Sequence, residues 1–274
     1  MATRILFAGE IVGKAGVYCI KKLIPQLRTQ YDLNLVIANG DGTTGGFGIG
    51  KNHAIYLRKL GVDCITTGDQ VYYKKDMVEH LETAPYILRA ANFPPGNPGR
   101  GWRHFSAGER RIAVISLVGI SGFTKVHLSN PFTFLPELVE RAKKDTDMVI
   151  VDFHAVTTAE KYSMFFMADG QVSAVIGTGQ RVQTSDAHVQ PEGTAVICDA
   201  GRTGSLDSVS GLDPAVEIEQ YVTQIPERSS EAWGRLELQG VILEIEDSGE
   251  TSSIEAIRIP CEGGQEDGGE STSN

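Results

Sequence analysis

Short apolar runs alternate with longer amphipathic stretches along most of the chain, the pattern of buried strands that feed helices covering a sheet. Residues 5–8, 35–38 and 64–67 read as the first three strands. Between them, 15–31 and 51–60 place apolar residues at helical spacing, and Pro25 predicts a kink in the first because proline removes a backbone donor. The strand series continues over 112–118, 148–153, 172–176 and 194–198, with further helices over 136–143, 159–168 and 214–223. Two runs, 236–246 and 253–259, flank Asp247-Ser248-Gly249 and predict a C-terminal hairpin. The last stretch, 261–274, is Gly, Glu and Ser with almost nothing apolar, and disorder is expected there. No repeat and no low-complexity linker divides the rest, so the expectation is a single α/β domain over 1–260 followed by an acidic tail.

Composition narrows the function classes. A chain of 274 residues, 41% hydrophobic, can bury a full core. Its net charge of -10 and pI of about 5.1 exclude an extended nucleic-acid surface, which relies on clustered Lys and Arg. A small anionic or nucleotide-like ligand in a local pocket is compatible with that charge. No apolar run approaches the roughly 20 residues that span a bilayer, and the N-terminus enters a strand pattern without a signal-peptide layout, so a cytoplasmic protein with no membrane partner is expected. Cys19, Cys64, Cys198 and Cys261 are scattered without a C-x-x-C pair, which favours small buried thiols over a disulfide framework or a zinc knuckle.

Candidate chemistry collects at strand ends, where α/β folds bind ligands. Glu10 follows the first strand, Asp41 the second, Asp69 the third, His154 the strand 148–153, and Gly179, Gln180 and Arg181 the strand 172–176. Three carboxylates and one imidazole suit a single hard cation such as Mn, Mg or Fe. The glycine-rich run from Asn39 to Gly48 offers backbone N–H groups to an anion ahead of a helix starting near Gly50, without the Lys and spacing of a P-loop. His53, His80, His104, His127 and His188 fall on helix or loop positions with surface or packing roles. His188 is near enough to the 179–181 loop to be a candidate substitute ligand.

Several segments together resemble one family. They are Ile5 to Lys14, Asn39-Gly40-Asp41, Thr67-Gly68-Asp69-Gln70, Val151-Asp152-Phe153-His154, Asn130-Pro131-Phe132 and Thr203-Gly204 with Asp207-Ser208. The resemblance, running from Arg4 to about Ile259, is to the YmdB-type branch of the calcineurin-like metallophosphoesterases. It implies an αββα sandwich with two central sheets flanked by helices, a two-metal centre that hydrolyses phosphodiesters such as 2′,3′-cyclic nucleotides, and a homo-oligomer.

The chain departs from that family at almost every ligand position. Glu10 stands for an Asp, Asp41 for the bridging Glu, Gly42 for an Asn, Asp69-Gln70 for an Asn-His pair, and Gly179 and Arg181 for two histidines, so that only His154 is unchanged. Gln70 occupies the family's proton-donor position but has no proton to give near neutral pH. Arginine has no lone pair to offer a metal. Arg181 is therefore expected to replace one cation by facing Glu10 and Asp41, with Gly42, Gly179 and Gln180 lining the same site. These substitutions predict a degenerate two-metal site holding no metal or one weakly bound divalent ion. The expected protein is inactive or nearly so as a phosphodiesterase and retained for ligand or partner binding. The alternative is an active metal-dependent phosphodiesterase with a reworked, single-metal centre.

Overall fold

The structure is a computed structural model that describes residues 2–263. Its first half runs β1 (Thr3–Ala8), β2 (Glu10–Ile11), α1 (Gly13–Gln30), β3 (Leu35–Asn39), α2 (Lys51–Lys59), β4 (Cys64–Thr66), α3 (Lys75–Thr83), β5 (Ile87–Leu88), β6 (Trp102–Ala107), β7 (Arg110–Val118) and α4 (Pro131–Ala142). It continues with β8 (Val149–His154), α5 (Thr158–Ala168), β9 (Ala174–Thr178), β10 (His188–Val189), β11 (Ala195–Ile197), β12 (Arg202–Ser205), α6 (Pro214–Thr223), β13 (Leu236–Ile245) and β14 (Thr251–Cys261).

The strands form two sheets. One has the order β2-β12-β13-β1-β3-β4-β5, with β14 paired to β13; the other has the order β10-β11-β9-β8-β7-β6. Alternation along the strands decides which layer each side chain joins. Ile5 and Phe7 of β1 meet Ile150 of β8 and Ile176 of β9 between the sheets, while Leu6 and Ala8 turn outward under α1. Val149, Val151 and Phe153 of β8 turn the other way, under α4 and α5. Because both faces of these strands are buried, they read in the sequence as continuous apolar runs. The result is a helix–sheet–sheet–helix sandwich.

Several boundaries differ from expectation for local reasons. Helix α1 runs through Pro25 and begins at Gly13, two residues before the expected start at 15. Helix α4 starts five residues before position 136, because the Asn130 side chain accepts the Phe132 N–H at 3.0 Å and Pro131 fills the first position, where its missing donor costs nothing. Strand β9 is displaced toward Thr178, in parallel register with β8 from Ile150↔Ala174 to His154↔Thr178. Helix α3 and strand β6 lie where no element is expected, and His104 and His188 sit on strands β6 and β10 rather than on helices or loops. Cys261, assigned by composition to the tail, ends β14 opposite Leu236 and is buried. Positions 264–274 of that tail lie outside the described residues. All four cysteines are free and buried, and among the described residues no helix is long and apolar enough to cross a membrane.

Candidate metal centre

Loops leaving β3, β4, β8 and β9 converge with the start of β2 at one edge of the sandwich, and they bring Glu10, Asp41, Asp69, His154 and Arg181 together. The site divides into two halves.

His154 organises the first half. Its Nε2 lies 3.4 Å from Asp69 Oδ1 and 3.9 Å from Asp41 Oδ2. On the other side of the ring, Nδ1 is 3.1 Å from Thr178 Oγ1, whose hydroxyl donates to Asp152 Oδ1 at 2.7 Å. Asn39 Nδ2 donates to the second oxygen of the same carboxylate at 2.8 Å. Since the Thr178 proton is committed to Asp152, Nδ1 is the donor to Thr178 and Nε2 is the nitrogen turned toward the carboxylates, the orientation a metal-binding imidazole needs. Phe123 stacks on the ring at 6.0 Å. A Cβ at Gly68 would lie 2.5 Å from the imidazole, so only glycine lets the Asp69 loop pass this close.

Burial, helped by the charges of Glu10 and Asp69, pushes the Asp41 carboxyl up to about 7 against the pull of His154. Burial alone would depress His154, but its hydrogen bond to Asp69 and the charges of Asp41, Glu10 and Asp69 raise it to about 9. An imidazolium proton thus serves this half when no other cation does. The donors fit a divalent ion. Atoms of Asp41, Asp69 and His154 lie within 4.8 Å of one another, and Asp41 Oδ1 and Glu10 Oε2 are buried without a hydrogen-bond partner. Such orphaned carboxylate oxygens are costly unless a cation or proton meets them.

Arg181 fills the second half. Its Nε donates to Glu10 Oε1 at 2.9 Å, Nη2 to the Gly46 carbonyl at 2.9 Å, and Nη1 to the Ser210 carbonyl at 3.1 Å. Nη2 is also 2.7 Å from Glu10 Oε1. Only 8% of Arg181 and 1% of Glu10 is exposed, so the pair is shut away from solvent. Burial opposes the guanidinium charge, but Glu10 foremost, with Asp41 and Asp69, more than offsets it and raises its pKa. The expected partnership with Asp41 takes the form of this field; the hydrogen bonds go to Glu10 and two carbonyls. Room for the guanidinium comes from Gly42, where a Cβ would stand 2.8 Å from Nη2 and 2.9 Å from Glu10 Oε1. Any side chain at position 42 therefore collides with this placement of Arg181.

The 179–181 turn is held from below. Asp199 Oδ2 accepts the Gln180 N–H at 2.9 Å and Lys161 Nζ at 3.0 Å, and Oδ1 accepts the Gly201 N–H at 2.9 Å. Gly179 has φ +105° and Arg181 φ +57°, so the turn uses backbone that favours glycine at its first position and strains its third. Gln70 contributes its backbone N–H to Asp41 Oδ2 at 3.1 Å, while its side-chain oxygen is buried without a partner. His188 is exposed, bonded to the Asp186 carbonyl, and takes no part in the site.

The glycine-rich loop does hold an anion, and it is one of the chain's own. Glu231 accepts the Lys14 N–H at 2.6 Å and the Gly45 N–H at 3.1 Å, seating a carboxylate between the start of α1 and this loop. Glu231→Ala removes both hydrogen bonds and is expected to lower stability by about 0.5–1.5 kcal/mol in thermal unfolding. A melting temperature equal to the wild type's would show that water replaces the carboxylate without loss.

Asn39, Asp152 and Thr178, which aim His154, and Asp199 with Lys161, which hold the turn, carry no metal-ligand signature in the sequence. Their signal is polarity at positions flanked by apolar strand residues, as in Val151-Asp152-Phe153.

An αββα sandwich with a carboxylate–histidine centre at the strand ends defines a calcineurin-like metallophosphoesterase fold. The chain belongs to the YmdB-like protein family, whose model matches residues 6–257. It is 37% identical over 257 residues to a 2′,3′-cyclic-nucleotide 2′-phosphodiesterase of Bacillus subtilis, covering 93% of this chain and 97% of that one. Among solved structures, a phosphatase from Mycoplasma pneumoniae matches with TM-score 0.89 at 31% identity, over 95% of this chain and 94% of the other. A hypothetical protein from Thermus thermophilus matches with TM-score 0.88 at 29% identity, over 94% of this chain and 99% of the other.

Proposed function

We propose that this chain is a family member with one cation position instead of two, binding phosphate-bearing ligands and turning over phosphodiesters negligibly. The buried Arg181–Glu10 pair carries this reading. It sets a permanent charge beside Gly42, in the half of the site opposite Asp41, Asp69 and His154, and ties that charge to Gly46 and Ser210. Two-metal hydrolysis needs a pair of ions about 3.5–4 Å apart to generate the nucleophile and hold both oxygens of the displacement. A guanidinium whose N–H groups are engaged by Glu10 and two carbonyls supplies charge but cannot activate water. Gln70 supplies no proton to a leaving alkoxide.

The Asp41, Asp69 and His154 donors suit Mn, Mg or Fe. When bound there, the ion supplies a positive centre for a phosphate oxygen, while Thr178 and Asp152 keep the imidazole turned toward it. The name of the Bacillus relative makes 2′,3′-cyclic AMP the first ligand to test. A second reading, a slow single-metal phosphodiesterase, draws on the unpartnered Asp41 Oδ1 within the same half.

Calorimetry and hydrolysis of bis-p-nitrophenyl phosphate and 2′,3′-cyclic AMP, with and without Mn, test both. The expected result is Mn-dependent binding of the cyclic nucleotide, lost in Asp69→Ala, with no metal-stimulated turnover above background. Metal-stimulated turnover abolished by His154→Ala would establish the second reading instead.

A further inference from the structure

Two of the four cysteines meet where the last strand passes under the first helix. Cys19 lies in the second turn of α1 and Cys261 ends β14, yet both belong to the buried cluster that α1 shares with the first sheet, 0% and 6% exposed. Helix α1 packs against β13 and β14. One residue before Cys19, the Tyr18 hydroxyl donates to the Gly263 carbonyl at 3.0 Å, so the chain leaving β14 is held against this turn of the helix. The two thiols are hydrogen-bonded to each other. Cys64 and Cys198 lie in the other two clusters, between the sheets and under α4 and α5.

We infer that Cys19 and Cys261 form an oxidisable pair, a modification site at which a peroxide converts two buried thiols into a disulfide joining α1 to the end of β14. The Cys261 thiolate attacks one peroxide oxygen; the O–O bond breaks, hydroxide leaves to become water, and the sulfur is left as a sulfenic acid. Cys19 then gives up its proton and attacks that sulfur, forming the S–S bond as the S–O bond breaks and a second water leaves. Two thiols are oxidised and one peroxide is reduced to two waters.

The surroundings sort the two roles. The shared hydrogen bond, with Cys19 as donor, raises the Cys19 thiol and lowers that of Cys261, while burial raises both. Lys22 lowers Cys261 as well, from a position over the Tyr18 ring with Nζ 5.4 Å from its centroid. Cys261 is therefore the readier thiolate, and its place at the end of a strand makes it the sulfur that a peroxide meets first. The consequence reaches most of the molecule. A bond between positions 19 and 261 closes a loop of nearly the whole chain, and the constraint on the unfolded state grows with loop length. It also ties down the helix whose first residues, Gly13 and Lys14, donate to the Gly42 carbonyl and to Glu231 beside the metal centre.

Hydrogen peroxide treatment of the full chain, followed by alkylation in denaturant, tests this. Two of the four thiols should disappear with a mass loss of two hydrogens and no added oxygen, and peptide mapping should find 19 and 261 linked within one chain. The oxidised protein should melt about 10 °C above the reduced one, a gain that dithiothreitol reverses. Cys19→Ser and Cys261→Ser should each abolish the shift, whereas Cys64→Ser and Cys198→Ser should keep it. Oxidation in denaturant should give no preferred pairing, because only the fold brings 19 and 261 together. The mapping needs no variant, so it decides even where a serine substitution weakens the fold. Survival of all four thiols, added oxygen without a cross-link, or linkage between any other pair would each overturn the proposal.

Discussion

Arg181→Ala is expected to destabilise the fold by roughly 3–5 kcal/mol, the scale for removing one partner of a buried charge pair. The loss has three parts. Glu10, 1% exposed, is left buried with no guanidinium beside it. The carbonyls of Gly46 and Ser210 lose their donor, which loosens the glycine-rich loop from the segment leading into α6. The cluster of Glu10, Asp41 and Asp69 then loses the positive field that balances it. Divalent metal added to the variant should recover part of the stability, because an ion can stand where the guanidinium stood and binding to the folded state alone raises its stability by mass action. Denaturant unfolding with and without Mn measures both effects. An unchanged midpoint in the metal-free variant would mean that the guanidinium contributes no more than an exposed ion pair.

The second large effect is a coupling. Gly42→Ala places a Cβ within 2.8–2.9 Å of Arg181 Nη2 and Glu10 Oε1, distances that real contacts essentially never show. Alone it should cost about 2–3 kcal/mol, within the range for overpacking a buried site. In an Arg181→Ala background the nearest of these contacts is gone while Glu10 Oε1 at 2.9 Å and the Ile11 carbonyl at 3.1 Å remain, so the same substitution should cost about 1 kcal/mol less than it does alone. The interaction energy of the double-mutant cycle is then about 1 kcal/mol, of the sign that makes the two substitutions compatible. A coupling near zero would mean that Arg181 does not depend on the absence of a side chain at 42. On the resemblance, which implies Asn at 42 and His at 181 in the family, Gly42 and Arg181 read as a matched pair of replacements, the guanidinium depending on the absence of a side chain at 42.

Much of the fold was legible because strands buried on both faces leave continuous apolar runs, as in 112–118 and 148–153. Elements with weaker burial left no such mark. Helix α3 buries only Met77 and Leu81, and β6 is half-exposed along Trp102 to Phe105, so neither rises above its polar surroundings. At the site, strand-end position and the family resemblance singled out Glu10, Asp41, Asp69, His154 and Arg181. What could not be read was geometry between distant positions. Arg181 and Glu10 are separated by 171 residues, Asn39 and Asp152 by 113, and Gly45 and Glu231 by 186. A glycine whose missing side chain admits a guanidinium from another loop looks, in one sequence, like any loop glycine.

With Arg181 occupying one half of the centre, the chain should take up a single divalent ion through Asp41, Asp69 and His154. Titration of the metal-free protein with Mn(II), followed by electron paramagnetic resonance, tests this most directly. The expected result is saturation at one ion per chain with the spectrum of an isolated Mn(II), lost in His154→Ala. Two ions per chain with an exchange-coupled spectrum would contradict it, since a pair of ions about 3.5–4 Å apart needs the space that the Arg181 guanidinium fills.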